Sequence, residues 1–177
     1  MADGSKPTER PAMRVLFFGM TGILSRVPLA ILLNAGVNVC GLVLPSSVLP
    51  PYVLPKDGRP HPIIPSSHHT TSVALIPSPG ILQLAGEHHL PVYPIRRLRD
   101  AETIEVLTAV APDLICVSCF NQILPPALLA IPSLGCLNLH PSRLPDFRGP
   151  SPLFWTLRNG QNKAGVTIHF MDERLDT

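Results

Sequence analysis

The sequence predicts an α/β domain, three layers built around a mostly parallel sheet. Three observations carry this expectation. An apolar run at 15–18, a glycine turn, a helical pattern and a second apolar run at 37–44 follow one another in the order of a βαβ unit. Strand-like and helix-like segments keep alternating along the chain, with further strands expected near 91–93, 113–119, 135–140 and 165–171. The segment 135–140 then runs into Pro141 with two hydrogen-bonding side chains on one face, a pattern suited to a site at a strand end.

Residues 1–12 are polar, without apolar periodicity, and read as a flexible tail; the domain proper is expected over 13–177, from Met13. The run at 15–18 carries a β-branched and two aromatic residues and reads as a buried strand. Gly19 and Gly22 make the turn. Residues 25–34 read as a helix capped by Ser25, with Pro28 in its first turn and Gly36 as its stop. A dinucleotide site is the rival reading, but Ser25 breaks the glycine spacing and the second strand ends in Leu44 and Pro45 with no acidic residue for a ribose. The glycines are therefore read as serving chain reversal.

Between Pro45 and Pro65 fall seven prolines, which exclude a helix or central strand there. The long loop 45–78 carries Lys56 and Arg59 against Asp57, slight support for contact with nucleic acid. His61, His68 and His69 read as surface histidines rather than metal ligands, with no cysteine or carboxylate at ligand spacing beside them. A short extra strand is expected at 73–76. Residues 79–89 read as a helix with Ile81, Leu82 and Ala85 on one side, and 90–93 as a strand. Arg96, Arg97 and Arg99 read as a solvated basic turn. Asp100 is expected to cap a helix at 101–110 with the apolar stripe Ile104, Leu107, Val110.

In the strand 113–119, Cys116 and Cys119 point to opposite faces and cannot share a metal; with Cys40 and Cys136 they read as core thiols. The loop 120–125 leaves the carboxyl end of that strand, where α/β sheets bind ligands. A short helix follows at 126–131. In the strand 135–140, Leu137 and Leu139 share one face, and Asn138 and His140 the other. An amide can hold a negative oxygen, and an imidazole can give or take a proton. Residues 151–159 read as a helix ended by Gly160, with Phe154, Trp155 and Leu157 feeding core or pocket. His169, inside the last strand, reads as packing or a rim contact, and 172–177 as a polar loop with three acidic residues.

Bulk properties bound the function. The chain is 45% hydrophobic and 15% charged, unlike a disordered protein. A net charge of +2 makes no case for nucleic acid by itself. Apolar runs such as 27–33 are too short to span a membrane, and the run at 15–24 leads into Ser25 and Arg26 without a cleavage site, so a cytoplasmic location is expected. Four cysteines fit reduced thiols.

The strings NLHPSRLPDFRG and, further on, GVTIHFMDERLDT resemble the catalytic domain of the folate-dependent formyltransferases. That family's signature runs Asn-x-His, Pro/Gly-Ser-Leu-Leu-Pro, Arg/Lys-Gly, Gly-Val-Thr and Asp-x-Gly. The match is strongest over 113–177 and fainter from Met13 onward. The resemblance implies a Rossmann-like fold of formyltransferase type, and transfer of a formyl group from 10-formyltetrahydrofolate to an amine, with no metal. It places Asn138, His140 and Asp176 at the catalytic positions. Ser142, Arg143, Leu144 and Pro145 fall on the presumed folate contact, and Asn121, Gln122, Ile123 and Leu124 on the loop that holds the pterin ring, largely through its backbone. Arg143 stands where the family usually has leucine. The sequence stops at Thr177, before the family's following glycine and later elements, so an incomplete domain is expected. Motif order and Arg148-Gly149-x-x-Pro152 look most like the branch that formylates initiator methionyl-tRNA. A sugar-nucleotide N-formyltransferase, a formyltetrahydrofolate hydrolase and an inactive folate-binding fragment remain alternatives. No protein partner is implied.

Overall fold

The computed structural model describes residues 12–51, 54–65 and 80–176, and builds from them a six-stranded sheet in the order β3-β2-β1-β4-β5-β6. The strands are β1 (Val15–Phe18), β2 (Val39–Pro45), β3 (Val92–Ile95), β4 (Leu114–Ser118), β5 (Cys136–His140) and β6 (Thr167–Phe170). The first five are parallel and β6 runs antiparallel to β5. The helices are α1 (Ile23–Asn34), α2 (Ile81–Glu87), α3 (Ala101–Ala109), α4 (Pro126–Leu129) and α5 (Pro152–Arg158). Residues 1–11 of the expected tail at 1–12, the strand at 73–76, and His68, His69 and Pro79 lie outside the described residues.

All four β1 residues are buried because the central strand is covered on both faces. Leu16 and Phe18 join one core cluster with Leu107, Ile115, Leu128 and Cys136. Phe17 joins the other with Leu29, Leu42, Ile81 and Leu84. Helices α3 and α4 thus cover one face, and α1 and α2 the other.

Ser25 does not cap α1. Gly22 occupies that position, and Ser25 sits fully buried within the first turn. Pro28 accordingly falls inside the helix. Proline offers no N–H to the carbonyl four residues back, that of Leu24. The hydroxyl of Ser118, at the end of β4, donates to that carbonyl at 2.7 Å. Ser25 Oγ donates in turn to the Ser118 carbonyl at 2.6 Å and accepts from the Met20 N–H at 2.9 Å. Gly19 has a role beyond chain reversal: a Cβ there would lie 2.9 Å from the Ser25 Cβ, so its missing side chain lets the latch close.

Asp100 stands at the N-cap of α3 without a side-chain cap bond. The far end of that helix is held by Arg14, whose guanidinium donates to the carbonyls of Val110 and Ala111 at 2.7 and 3.1 Å. Helix α5 also departs from expectation. Phe154, Trp155 and Leu157 are exposed, while Pro152 and Thr156 form its buried side. A carboxylate does stand beside His61: Asp57 Oδ1, from four residues earlier, lies 3.3 Å from its Nε2.

Candidate active site

Strand β5 presents Asn138 and His140 on the face that carries Cys136, as side-chain alternation requires. Pro141 follows His140, and the chain turns through 142–146. Ser142 Oγ donates to the Asp146 carbonyl at 2.6 Å, while Thr167 Oγ1 donates to the Ser142 carbonyl at 2.8 Å and accepts from the Leu144 N–H at 3.1 Å. The Leu144–Pro145 peptide is cis. The stem of Arg143 lies across Gly165, where no Cβ would fit. Ser142 is thus spent on holding the turn, and Arg143 is exposed.

The loop 171–176 folds back over β5 and brings Asp176 to its two neighbours. Asp176 Oδ1 accepts from Asn138 Nδ2 at 3.1 Å. Its Oδ2 accepts from the Gly149 N–H at 2.8 Å and lies 3.5 Å from His140 Nδ1. The other ring nitrogen of His140, Nε2, is 3.0 Å from the Phe147 carbonyl oxygen. Both His140 nitrogens therefore face oxygens that only accept. His140 and Asp176 are buried and Asn138 half-buried.

A fourth side chain completes the cluster. His169 pairs with Asn138 across the β5–β6 ladder. Its Nε2 lies 3.3 Å from Asn138 Nδ2 and 3.8 Å from Asp176 Oδ1, and its Nδ1 is 3.0 Å from the Phe170 carbonyl oxygen. His169, expected as packing or a rim contact, packs against the amide and lies beside the carboxylate. Facing residues of antiparallel neighbours lie on the same side of the sheet, but with α5 between β5 and β6 the sequence does not mark which residue of β5 this histidine will face.

The second expected loop follows β4. Gln122 braces it against the turn after β3, accepting from the Leu98 N–H at 3.1 Å and donating to the Arg96 carbonyl at 3.2 Å. Leu124 is buried in the core, whereas Asn121 and Ile123 are exposed at the carboxyl end of β4. A cavity of about 490 Å³ lies elsewhere, lined by Thr108, Asp113, Ala130 and Ser133 at the opposite end of β4, and includes none of the expected site residues.

Burial decides what the nearby thiols can do. It pushes Cys136 up to about 12, helped by Cys116, and raises Cys116 and Cys119 as well. A buried thiol held protonated is a poor nucleophile, so the chemistry rests with the amide, the imidazoles and the carboxylate. Among the described residues, no group of three or more His, Cys, Asp or Glu is arranged to hold a metal ion.

Comparison with known proteins gives a consistent answer. Methionyl-tRNA formyltransferase of Clostridioides difficile is 47% identical over 97 residues, 55% of this chain and 31% of that one. The protein of the same name from a Synechococcus strain is 38% identical over 168 residues, 93% of this chain and 46% of that one. The chain thus spans between about a third and a half of the length of these relatives. Two solved structures share the fold. Phosphoribosylglycinamide formyltransferase from Bacillus halodurans has a TM-score of 0.64 at 20% identity, over 93% of this chain and 74% of that one. A formyltetrahydrofolate deformylase from Pseudomonas syringae has a TM-score of 0.64 at 18% identity, over 94% of this chain and 48% of that one. The formyl transferase family profile matches residues 60–177, about two thirds of the sequence, and the chain belongs to that family.

Proposed function

We propose that the protein containing this chain transfers a formyl group from 10-formyltetrahydrofolate to an amine, with methionyl-tRNA as the acceptor, in the cytoplasm. Residues 13–177 form the part of its catalytic domain that carries the reacting groups. One observation supports this reading above others: a single carboxylate, Asp176, lies between the Asn138 amide and the His140 ring at the end of a parallel strand. The choice of acceptor follows the names of the relatives that match half or more of this chain.

The chemistry is an acyl transfer. The amine nitrogen attacks the formyl carbon, and the carbonyl electron pair moves onto oxygen, giving a tetrahedral centre. Asn138 Nδ2–H and His140 Nε2–H donate to that oxygen. In this structure Nε2 already meets the Phe147 carbonyl, so the incoming oxygen takes the place of an acceptor, and the donor is held ready beforehand. The attacking amine gives up its proton to Asp176, directly or through water. Collapse of the centre breaks the bond to N10 of the folate, which leaves with the proton Asp176 took from the amine, passed on directly or through water, and the formamide is released.

Exposed Ile123 and the backbone of 121–124 supply a face for the pterin ring, and the turn 142–145 flanks it. Ser142 contributes by shaping this turn rather than by touching the folate.

The test is formyl transfer by the full-length protein to methionyl-tRNA, with Asn138→Ala and His140→Ala alongside. Each substitution is expected to cut turnover by about a hundred- to a thousandfold, the range for a lost oxyanion donor, while the circular dichroism stays native. Wild-type turnover in either folded variant overturns the assignment. Formate release without an amine product replaces transfer with hydrolysis, and folate binding with neither product marks an inactive fold.

A further inference from the structure

Resting on the formyl-transfer reading, we propose that His169 is a positioning residue that presents the Asn138 amide to the reacting oxygen and holds its place until that oxygen arrives. The hydrogen-bond partners determine its state. The Phe170 carbonyl 3.0 Å from Nδ1 can only accept, so Nδ1 carries a hydrogen. The nearest group to Nε2 is the Asn138 amide nitrogen at 3.3 Å, which can only donate. Nε2 is therefore the bare, accepting nitrogen of a neutral ring. The competing arrangement, with a hydrogen on Nε2 directed at Asp176 Oδ1, would use the longer contact of 3.8 Å and set two N–H groups against each other.

This accounts for both hydrogens of the Asn138 amide. One goes to Asp176 Oδ1 at 3.1 Å, the other to His169 Nε2. A rotated amide would turn its oxygen toward a carboxylate and a ring lone pair, so the two acceptors together fix which way Asn138 faces. They are not equal. The bond to the carboxylate is charge-assisted and the shorter of the two, and the bond to the neutral ring is the weaker. The hydrogen resting on His169 is the one a developing oxyanion captures. The imidazole is a placeholder: it keeps the donor aligned and gives it up at small cost when negative charge builds on the substrate.

The experiment uses the full-length protein. His169→Ala is expected to lower kcat by about ten- to a hundredfold, the range for residues that orient a catalytic group, with the KM for the formyl donor unchanged. His169→Gln, which can return an accepting oxygen near the Nε2 position, is expected to recover most of the rate. In an Asn138→Ala background, His169→Ala is expected to cost nothing further, because the group it positions is gone. Nitrogen-15 NMR of the wild-type protein is expected to show His169 neutral with its hydrogen on Nδ1, and the Nε2 resonance to move in Asn138→Ala. Four results overturn the proposal: an Nε2–H ring, an Nε2 resonance indifferent to Asn138→Ala, a Gln variant no better than Ala, or equal losses in both backgrounds. A wild-type protein that formylates no amine defeats the formyl-transfer reading instead, and the NMR measurements still decide whether His169 and Asn138 are paired.

Discussion

At the scale of single residues, the site has two kinds of legibility. Asn138 and His140 stand two apart on one strand, and alternation alone puts them side by side. Asp176 was placed by its motif, 38 residues downstream of Asn138, and the structure brings it within bonding reach. His169 was not legible this way, because a histidine inside a strand carries no mark of which residue it will face. Asp176 Oδ1 and Oδ2 each accept an N–H, so Asp176→Asn would set an amide NH₂ against a donor. It is expected to lower both stability, by about 1–3 kcal/mol for the unsatisfied group, and turnover, measured by denaturant titration and formyl transfer. The thiols carry a separate prediction. Cys136 ionises near 9.0 when unfolded but is held up to about 12 by burial in the native chain. Above pH 9 the unfolded state binds fewer protons than the native one, so stability falls as pH rises from about 9 toward 12 and is full below that window. Denaturation midpoints measured at about pH 7.5, 9 and 10, across the onset of thiol ionisation, should decline, and more shallowly in Cys136→Ala.

At the scale of elements, propensity and periodicity found the strands and helices but not their internal fastenings. Ser25 looked like a cap because serine caps often, and its actual work is long-range, linking α1 to the end of β4 through Ser118. That partnership follows from Pro28, whose missing N–H leaves a buried carbonyl to be satisfied from outside the helix. Ser118→Ala should therefore cost about 1–3 kcal/mol, the penalty for an orphaned buried acceptor, read as a shift in the urea midpoint. Asp113→Ala should matter less, since the Arg14 N–H it accepts at 2.7 Å lies in an exposed position. Helix α5 reads from the sequence as feeding core or pocket through Phe154, Trp155 and Leu157, which are exposed instead. Its buried side is Pro152 and Thr156, and the apolar character of the other three did not report direction.

At the scale of the molecule, the parallel order was legible because βαβ connections leave few alternatives. The sense of β6 was not, since a strand's direction does not show in its composition. Its reversal leaves a mark on the surface. Leu137 and Leu139 of β5 pair with Phe170 and Ile168 of β6 on the face away from the site, and both β6 side chains are about two thirds exposed. Strand β6 is also the edge of the sheet among the described residues. An apolar flank beside an open edge favours self-association. The isolated 177-residue chain is expected to elute earlier in gel filtration as its concentration rises, and Ile168→Lys with Phe170→Lys to abolish that dependence.

The loop that delivers Asp176 also sets an order of events on the ribosome. The carboxylate is translated 38 residues after Asn138, a delay on the order of seconds at about 5–20 residues per second. The nascent strand that bears the amide and imidazole is made before the acid that will orient them. Until that carboxylate arrives, the amide and the imidazole lack the partner that lies between them in the folded chain.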